Sequence, residues 1–316
     1  MKFLVYGAGA VGGFFGGRMA AAGLDVGFIV RDRRARELHA NGLKISSPNG
    51  NTHLMHPKIY LAGNALPEAD VLLLAIKATG LSDAIYSLKE TIRDSTLIIP
   101  LLNGLRHIDI LVDAFGDKRV AGGLCYIQAS MDNERVIHCH SKIQKLIAGP
   151  LNDNQVAVLQ GFIDHTVQAG IDAEYSSDVY QAMWDKISFL ATLAGVTCIA
   201  RGSVGEIVAT PFGKEITRGL FEECIKIAKS AGYPLSAAAI TNSKKMLLAR
   251  DSGLISSMLG DIRADNPTEG DHILGDLIAR AEQNSILVQY LKAAHTAILV
   301  HDGQRVRPFN NPPSSV

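Results

Sequence analysis

A single lysine stands in the apolar segment MWDKISFLATLAG, residues 183–195. Apolar residues recur there at spacings of three and four, which predicts a helix that buries most of its circumference. Lys186 lies inside this pattern, with Leu190 and Ala194 on the same side of the helix at i+4 and i+8. An ammonium group is costly to bury. Lys186 is therefore either used by a functional site or a structural lysine that reaches solvent along the helix surface.

A second candidate site lies in the N-terminal segment KFLVYGAGAVGGFFGGRMAAAG. Its glycines have the spacing G-x-G-x-x-G, between a strand pattern and a helix pattern. The first glycine allows a tight turn, the second lets a pyrophosphate approach the backbone, and the third allows close helix–strand packing. Free amides at the start of the helix would hold the phosphates. An ordinary glycine-rich turn is the alternative, but we predict a dinucleotide site at Gly7, Ala8, Gly9, Ala10, Val11 and Gly12.

The residues after the second predicted strand select the dinucleotide. An acidic residue that ends this strand favours the ribose 2′-hydroxyl of NAD. In this chain Arg31 comes first and Asp32 follows. A guanidinium group suits a 2′-phosphate. We therefore predict NADP(H) as the cofactor. NAD is the alternative because of Asp32, and Arg31 could instead be an arginine on the surface with no role in binding.

The remaining sequence must position these residues, and it falls into two parts. The first part alternates short strands with helices, and the apolar runs DVLLLAIK and TLIIPLLNG are typical of parallel strands covered on both faces. RVAGGLCYIQASMD and RVIHCHSKIQKLIAG predict antiparallel strands at an edge. Helical patterns dominate after about residue 155, and Thr210–Pro211 predicts a helix start. We predict an α/β Rossmann domain over 1–168, an all-α domain over 169–308 and a tail over 309–316.

Composition argues against several other classes of protein. The 31 basic and 31 acidic residues balance, so there is no global charge that would attract nucleic acid or an anionic membrane. Four scattered cysteines form no CxxC pair, and the HCH at 138–140 lacks further ligands, so we expect no metal site. No apolar run reaches the ~20 residues that span a bilayer. We expect a cytoplasmic protein with reduced cysteines.

Seven segments of the chain, taken with their order and spacing, indicate a relationship to a known family. They are GAGAVGG at 7–13, Arg31, AIKA at 75–78, LLNGL at 101–105, MWDK at 183–186, SSMLGDIRA at 256–264 and PTEGDHILG at 267–275. In order and interval they resemble the ketopantoate reductase (2-dehydropantoate 2-reductase) family. The resemblance implies a Rossmann domain followed by a helical domain like that of 6-phosphogluconate dehydrogenase, with the active site in the cleft between them. It also implies hydride transfer from NADPH to a 2-oxo acid, most simply 2-dehydropantoate giving pantoate for pantothenate biosynthesis.

The resemblance also assigns roles to individual residues. It implies that Lys186 is the general acid and that Asn103 contacts the substrate and the nicotinamide ribose. It places Lys77 near the cofactor, gives Ser257 to the substrate, and has Glu269 touch the cofactor and help close the cleft. Read from the residues alone, Asn103 belongs to a turn, Lys77 is a strand-end lysine in solvent, and Ser257 and Glu269 cap helices.

The chain departs from the family on the helix that carries the lysine. The pantothenate-pathway enzymes have asparagines four and eight residues after the lysine, where this chain has Leu190 and Ala194. Either Thr192 and Thr197 supply polar contacts, or the substrate is a more apolar 2-oxo acid or ketone. A non-catalytic NADP-binding protein is the alternative from another class. Apolar helices of the second domain would be core or would bury a homodimer interface.

Overall fold

The computed structural model describes residues 1–306, and the chain divides into two compact units. Unit 1 comprises Met1–Asn103 and His107–Met183, and unit 2 comprises Gly104–Arg106 and the chain from Trp184 onward. The strands of unit 1 are β1 (Lys2–Tyr6), β2 (Asp25–Val30), β3 (Leu43–Ser46), β4 (Thr52–Leu54), β5 (Lys58–Leu61), β6 (Val71–Leu74), β7 (Leu97–Pro100), β8 (Gly122–Met131), β9 (Ile137–Gly149) and β10 (Asp172–Tyr175).

The central sheet of unit 1 is parallel, with the strand order β5-β2-β1-β6-β7. Successive residues of β1 point to opposite faces: Phe3 and Val5 join one buried cluster, whereas Leu4 and Tyr6 join the other. All four residues of β6 are buried. The strands β1, β2, β6 and β7 are therefore covered on both faces, unlike the edge strand β5, which explains their continuous apolar runs and confirms the predicted α/β sheet.

The carboxyl ends of these parallel strands share one edge of the sheet. The segments that follow β1, β2, β6 and β7 begin there, and they contain Gly7, Arg31, Lys77 and Asn103 respectively. The helices α1 (Ala10–Ala21), α2 (Asp32–Asn41), α3 (Leu81–Lys89) and α4 (Arg106–Phe115) follow these segments, and α5 (Val156–Gln168) follows β9. The topology thus places the N-terminal starts of α1, α2 and α3 along the same edge.

A second sheet contains the predicted antiparallel pair. β8 and β9 pair antiparallel as expected, with a bulge near Ile127. They do not extend the edge of the first sheet, because β9 also pairs in parallel with β3 and β10, giving the order β10-β9-β3-β4. β10 was not predicted from the sequence, since it has only four residues and an alternating burial pattern.

Unit 2 is helical. Its helices are α6 (Val179–Ala200), whose first turn belongs to unit 1, α7 (Val204–Ala209), α8 (Gly213–Ser230), α9 (Ala237–Leu247), α10 (Ser257–Arg263), α11 (Asp276–Gln283) and α12 (Gln289–Val306). A π-helical turn, Asp271–Gly275, precedes α11. The length and composition of α6 would suffice to span a membrane, contrary to expectation, but 72% of its apolar window is buried within the protein. These properties fit a core helix.

The division between the units falls at Met183 and Trp184, later than the expected boundary at 168/169. β10 pairs with β9, and Val179 packs so closely on Gly122 that a Cβ there would lie 2.3 Å from it. Segment 169–183 therefore belongs with the sheets. The expected tail, 309–316, lies outside the described residues.

The predicted helix start at Thr210 is wrong. Thr210 is the C-cap of α7, and its hydroxyl donates a hydrogen bond to the carbonyl of Ile207 at 2.8 Å. α8 begins at Gly213, and its N-cap is Phe212. A threonine before a proline is as well suited to end one helix as to begin the next, because its hydroxyl can bond to a carbonyl of the preceding turn.

Candidate active site

The glycine turn after β1 has three glycines in three different settings. Gly7 has φ of +99°, and a Cβ there would lie 2.5 Å from the carbonyl oxygen of Ala75. A Cβ at Gly12 would lie 2.1 Å from the Gly7 oxygen and 2.8 Å from the Ala75 Cβ. A Cβ at Gly9, by contrast, would meet nothing within 4 Å. The turn needs glycine for backbone conformation at Gly7 and for packing at Gly12, and it leaves open space at Gly9.

This open space adjoins the N-terminus of α1. Gly9 is the N-cap, and no side chain caps the helix. The first helical hydrogen bond runs from the Gly13 amide to the Gly9 carbonyl at 2.8 Å, so the amides of Ala10, Val11 and Gly12 have no partner within the helix. Backbone amides at a positive helix end form a site for anions.

Arg34 contacts the glycine turn, and this role was not predicted from the sequence. Its Nε donates a hydrogen bond to the carbonyl of Ala8 at 3.1 Å, and its guanidinium pairs with Glu37. Burial lowers the pKa of Arg34. Spacing could not have revealed this contact, because the residues are 26 positions apart and lie on different elements.

Arg31 is the N-cap residue of α2, and its exposed side chain reaches the first turn of α3. Its Nη2 lies 3.0 Å from Oδ2 of Asp83, and the two side chains are 73% and 75% exposed. Asp32, the residue that kept NAD open as an alternative, pairs instead with Arg36 on its own helix. Arg31 thus has an exposed guanidinium directly after β2, and Arg33 and Arg36 are similarly exposed farther along α2.

Two further predicted residues of unit 1 follow β6 and β7. Lys77 is exposed and occupies the N-cap position of the short 3-10 turn Ala78–Gly80. Asn103 is half-buried, and Gly104 has the left-handed φ of +98° that a turn requires. Within unit 2, a Cβ at Gly104 would lie 3.0 Å from the ring of His272. Only glycine fits at residue 104, because of its left-handed φ and the close His272 ring.

Lys186 is half-buried on α6, as is Leu190 one turn later, while Ala194 is 4% exposed. Leu190 and Ala194 therefore form an apolar stripe on the same side of α6 as Lys186. Thr192 and Thr197, the candidate polar substitutes, are both fully buried. Their hydroxyls donate to the carbonyls of Ser188 and Leu193 at 2.8 and 2.7 Å. The Thr192 hydroxyl is therefore committed to the helix, and the Thr197 hydroxyl is committed to the helix and to Ser256.

Ser257 and Glu269 lie at the starts of two helical segments of unit 2, α10 and the π-helical turn before α11. Ser256, not Ser257, caps α10 by accepting a hydrogen bond from the Leu259 amide at 3.0 Å, and it also contacts Thr197 at 2.8 Å. Ser257 is exposed at the first helical position.

Thr268, the residue before Glu269, forms two hydrogen bonds with its side chain. Its hydroxyl donates to Asp302 at 2.6 Å and accepts from the Gly270 amide at 3.1 Å. Glu269 itself is half-buried. The capping role thus belongs to Ser256 rather than Ser257, whereas the carbonyl of Glu269 accepts the Ile273 amide at 3.0 Å at the start of its own helical segment.

The predicted residues fall into two sets. The glycine turn, Arg31, Lys77 and Asn103 follow strands at one edge of the parallel sheet in unit 1. Lys186, Ser257 and Glu269 lie in unit 2. Within unit 2, Ser256 at the start of α10 is hydrogen-bonded to Thr197 of α6. Thr197 follows Lys186 by eleven residues, about three helical turns, and so lies on nearly the same face of α6.

The histidines of the HCH segment have local partners. His138 and His140 lie on one face of β9 with stacked rings, His138 bonded to Asp132 at 2.7 Å and His140 to Ser130 at 2.8 Å. In residues 1–306, no group of three or more His, Cys, Asp or Glu side chains is arranged to hold a metal ion.

Comparisons with known proteins cover almost the whole chain. The family model "Ketopantoate reductase PanE/ApbA" matches residues 3–153, and its C-terminal counterpart matches residues 178–301. An uncharacterized oxidoreductase, YkpB, of Bacillus subtilis (strain 168) is 34% identical over 96% of this chain and 100% of its own length.

Two solved structures share the fold. A PanE/ApbA family ketopantoate reductase from Ralstonia eutropha JMP134 has a TM-score of 0.88 at 23% identity, covering 97% of this chain and 100% of that one. A D-mandelate dehydrogenase, solved with NADH and anilino(oxo)acetate, has a TM-score of 0.87 at 19% identity with the same coverage. The chain belongs to the ketopantoate reductase family of NADP-dependent oxidoreductases.

Proposed function

We propose that this protein reduces a 2-oxo acid to the 2-hydroxy acid with NADPH, and that Lys186 is the general acid. The observation that carries the proposal is the half-buried lysine on an apolar stripe of α6. An ammonium group is costly to remove from water, and the family's chemistry needs a proton donor at this position. Lys186 and the cofactor residues occur together in one chain, which a non-catalytic binding protein would not require.

The residues of unit 1 fit the dinucleotide. The amides of Ala10, Val11 and Gly12 would hold the pyrophosphate, because the space beside Gly9 is open and these amides lack helical partners. Arg31 would bind the 2′-phosphate, which suits its exposed guanidinium. Lys77 and Asn103, after neighbouring strands, would contact the remainder of the cofactor. When bound, NADPH supplies the hydride.

Residues of unit 2 act on the substrate. The Nζ of Lys186 would donate a hydrogen bond to the ketone oxygen and transfer its proton as negative charge develops there. The hydroxyl of Ser257 is exposed and not used as the helix cap, so it can bind the substrate. Glu269 would touch the cofactor and help to close the site. Asn103 would contribute to both substrate and cofactor binding.

Family membership favours 2-dehydropantoate as the substrate, and hence a role in pantothenate biosynthesis. One observation favours a second candidate, an apolar 2-oxo acid. Leu190 and Ala194 replace amides on the stripe, and the hydroxyls of Thr192 and Thr197 are committed elsewhere. The D-mandelate dehydrogenase of the same fold was solved with anilino(oxo)acetate, a 2-oxo acid with an aromatic substituent. A cytoplasmic location and a homodimer stay predictions.

The experiment is a substrate panel with NADPH oxidation as the readout. Purified protein, Lys186→Met and the control Lys229→Met, at an exposed lysine of α8, are assayed with 2-dehydropantoate, phenylglyoxylate, 4-methyl-2-oxopentanoate and pyruvate. We expect Lys186→Met to lower kcat by roughly 10²–10⁴-fold while NADPH binds as in the parent. Turnover above a tenth of the parent in Lys186→Met would refute the assignment. NADPH binding without turnover of any acid would favour the non-catalytic alternative.

A further inference from the structure

We propose that Asp83 is a specificity-determining residue for the cofactor: its carboxylate competes with the 2′-phosphate for Arg31 and lowers the preference for NADPH over NADH. The inference rests on the proposed function, since it requires Arg31 to bind that phosphate. Asp83 was not among the residues that the sequence patterns indicated. It comes from α3, 52 positions after Arg31.

The geometry singles out this ion pair from its neighbours. Arg33 and Arg36 pair with Glu37 and Asp32, which lie on α2 itself. Arg31 instead leaves α2 and reaches the first turn of α3, where Nη2 lies 3.0 Å from Oδ2 of Asp83. The guanidinium also lies across the start of α3, because a Cβ at Gly80 would be 4.0 Å from Nη2. Arg31 is thus held toward α3 by a charge of the opposite sign.

Both members of the pair line the same groove of about 490 Å³ in unit 1. Tyr6 and Gly63 line it from the sheet side, and Tyr86 and Ser87 line it from α3. The Ser87 hydroxyl is buried and has no hydrogen-bond partner among the described residues. The groove therefore has room for a ligand beside the pair.

The charges of Arg31 and Asp83 determine how strongly a ligand with a 2′-phosphate would bind in this groove. An exposed ion pair contributes little, so a 2′-phosphate can replace Asp83 as the partner of the guanidinium. Asp83 would then stay on the first turn of α3 as a like charge close to the phosphate dianion. NADH has a hydroxyl instead of the phosphate, so the carboxylate does not repel it and does not lower its affinity. Asp83 should therefore weaken NADPH binding selectively.

The test is a double-mutant cycle read by binding rather than turnover. The dissociation constants of NADPH and NADH are measured by calorimetry at low salt for the parent, Asp83→Asn, Arg31→Leu and the double variant. Glu90→Gln is the matched control, because Glu90 is an acid of the same groove at the other end of α3. Circular dichroism and thermal unfolding establish that each variant is folded.

We expect Asp83→Asn to tighten NADPH binding about three- to tenfold and to change NADH binding by less than twofold. The gain should shrink in high salt, because exposed charges are screened, and it should be smaller in the Arg31→Leu background. An unchanged or weaker NADPH affinity in Asp83→Asn, with Arg31→Leu still impairing NADPH, overturns the role of Asp83 alone. If Arg31→Leu leaves NADPH binding unchanged, the assignment of Arg31 fails as well.

Discussion

Alanine substitutions at Gly9 and Gly12 should separate cofactor binding from stability. Gly9 has φ of −86°, which any residue adopts, and a Cβ there meets no atom within 4 Å. Alanine is a poor N-cap, which costs about 0.5–1 kcal/mol. The loss of glycine's freedom in the unfolded chain offsets this by about 0.4–1 kcal/mol. The free energy of unfolding of Gly9→Ala should therefore stay within about 1 kcal/mol of the parent.

Gly12→Ala should instead destabilise the protein. Its Cβ would lie 2.1 Å from the Gly7 oxygen and 2.8 Å from the Ala75 Cβ. Ordinary contacts between carbon and oxygen are about 3.3 Å or longer, so α1 must move by roughly 1 Å. Overpacking of this kind costs about 1–3 kcal/mol, and we expect the upper end because both neighbours are tightly held. At about 2–4 °C per kcal/mol, the Tm should fall by about 6–12 °C.

Among variants that fold, Gly9→Ala should impair NADPH binding more than Gly12→Ala, the reverse of their order in stability. The methyl group in Gly9→Ala occupies the space through which the pyrophosphate would approach, so the dissociation constant for NADPH should rise at least about tenfold, or 1.4 kcal/mol. The assays are thermal unfolding and fluorescence titration with NADPH. Gly303→Ala, inside α12 with open space around it, is the control for a harmless alanine. Parent-like NADPH affinity in Gly9→Ala would refute the phosphate site, and parent-like stability in Gly12→Ala would refute the packing argument.

Three other predictions concern the stripe on α6, a buried carboxylate and the thiols. Leu190→Asn should raise the ratio of kcat/KM for 2-dehydropantoate to that for phenylglyoxylate by about 10-fold or more, because it restores an amide to the apolar stripe. Glu223→Gln should lower the free energy of unfolding by about 2–3 kcal/mol in urea. The Glu223 carboxylate is 7% exposed and accepts the first three amides of α12 at 2.7–3.0 Å. Burial raises the pKa of the Cys198 thiol to about 11 and that of the Cys224 thiol to about 12. At pH 8 roughly one Cys198 in a thousand and one Cys224 in ten thousand would be thiolate, so neither should react with a disulfide reagent before unfolding.

Each of these predictions has its own check. The ratio in Leu190→Asn is compared with that of the parent in the same panel, and an unchanged ratio would mean that the stripe does not select the substrate. Glu222→Gln, at an exposed neighbour that pairs with Lys244 on the surface, should change stability by less than about 1 kcal/mol. Equal effects at the two glutamates would contradict the capping argument. Fast labelling of Cys198 or Cys224 in the folded protein would show that burial does not protect them.

The features that the sequence predicted well are those whose determinants are close together in the chain. The glycine turn needs six residues, and the conformation of Gly7 and the packing at Gly12 follow from them and their flanking strand and helix. The strands of the parallel sheet were evident because burial on both faces demands continuous apolar runs. The antiparallel pairing of β8 and β9 followed from their adjacency. The apolar stripe beside Lys186 follows from helical spacing alone.

The features that the sequence did not predict depend on partners far along the chain. β10 is a strand because β9 offers an edge to it, and this pairing moves the boundary to Met183. Whether Thr210 ends α7 or begins α8 depended on which carbonyl its hydroxyl could reach.

The amino-acid sequence by itself determined the fold class, the glycine turn and the position of the lysine on its helix, since these arise from periodicity and backbone sterics within short segments. Only the tertiary structure decided that Arg31 meets Asp83, that Arg34 holds the Ala8 carbonyl and that Thr197 binds Ser256. Such pairs join residues 26 to 59 positions apart. Their geometry depends on how strands and helices pack, and no local pattern records that packing.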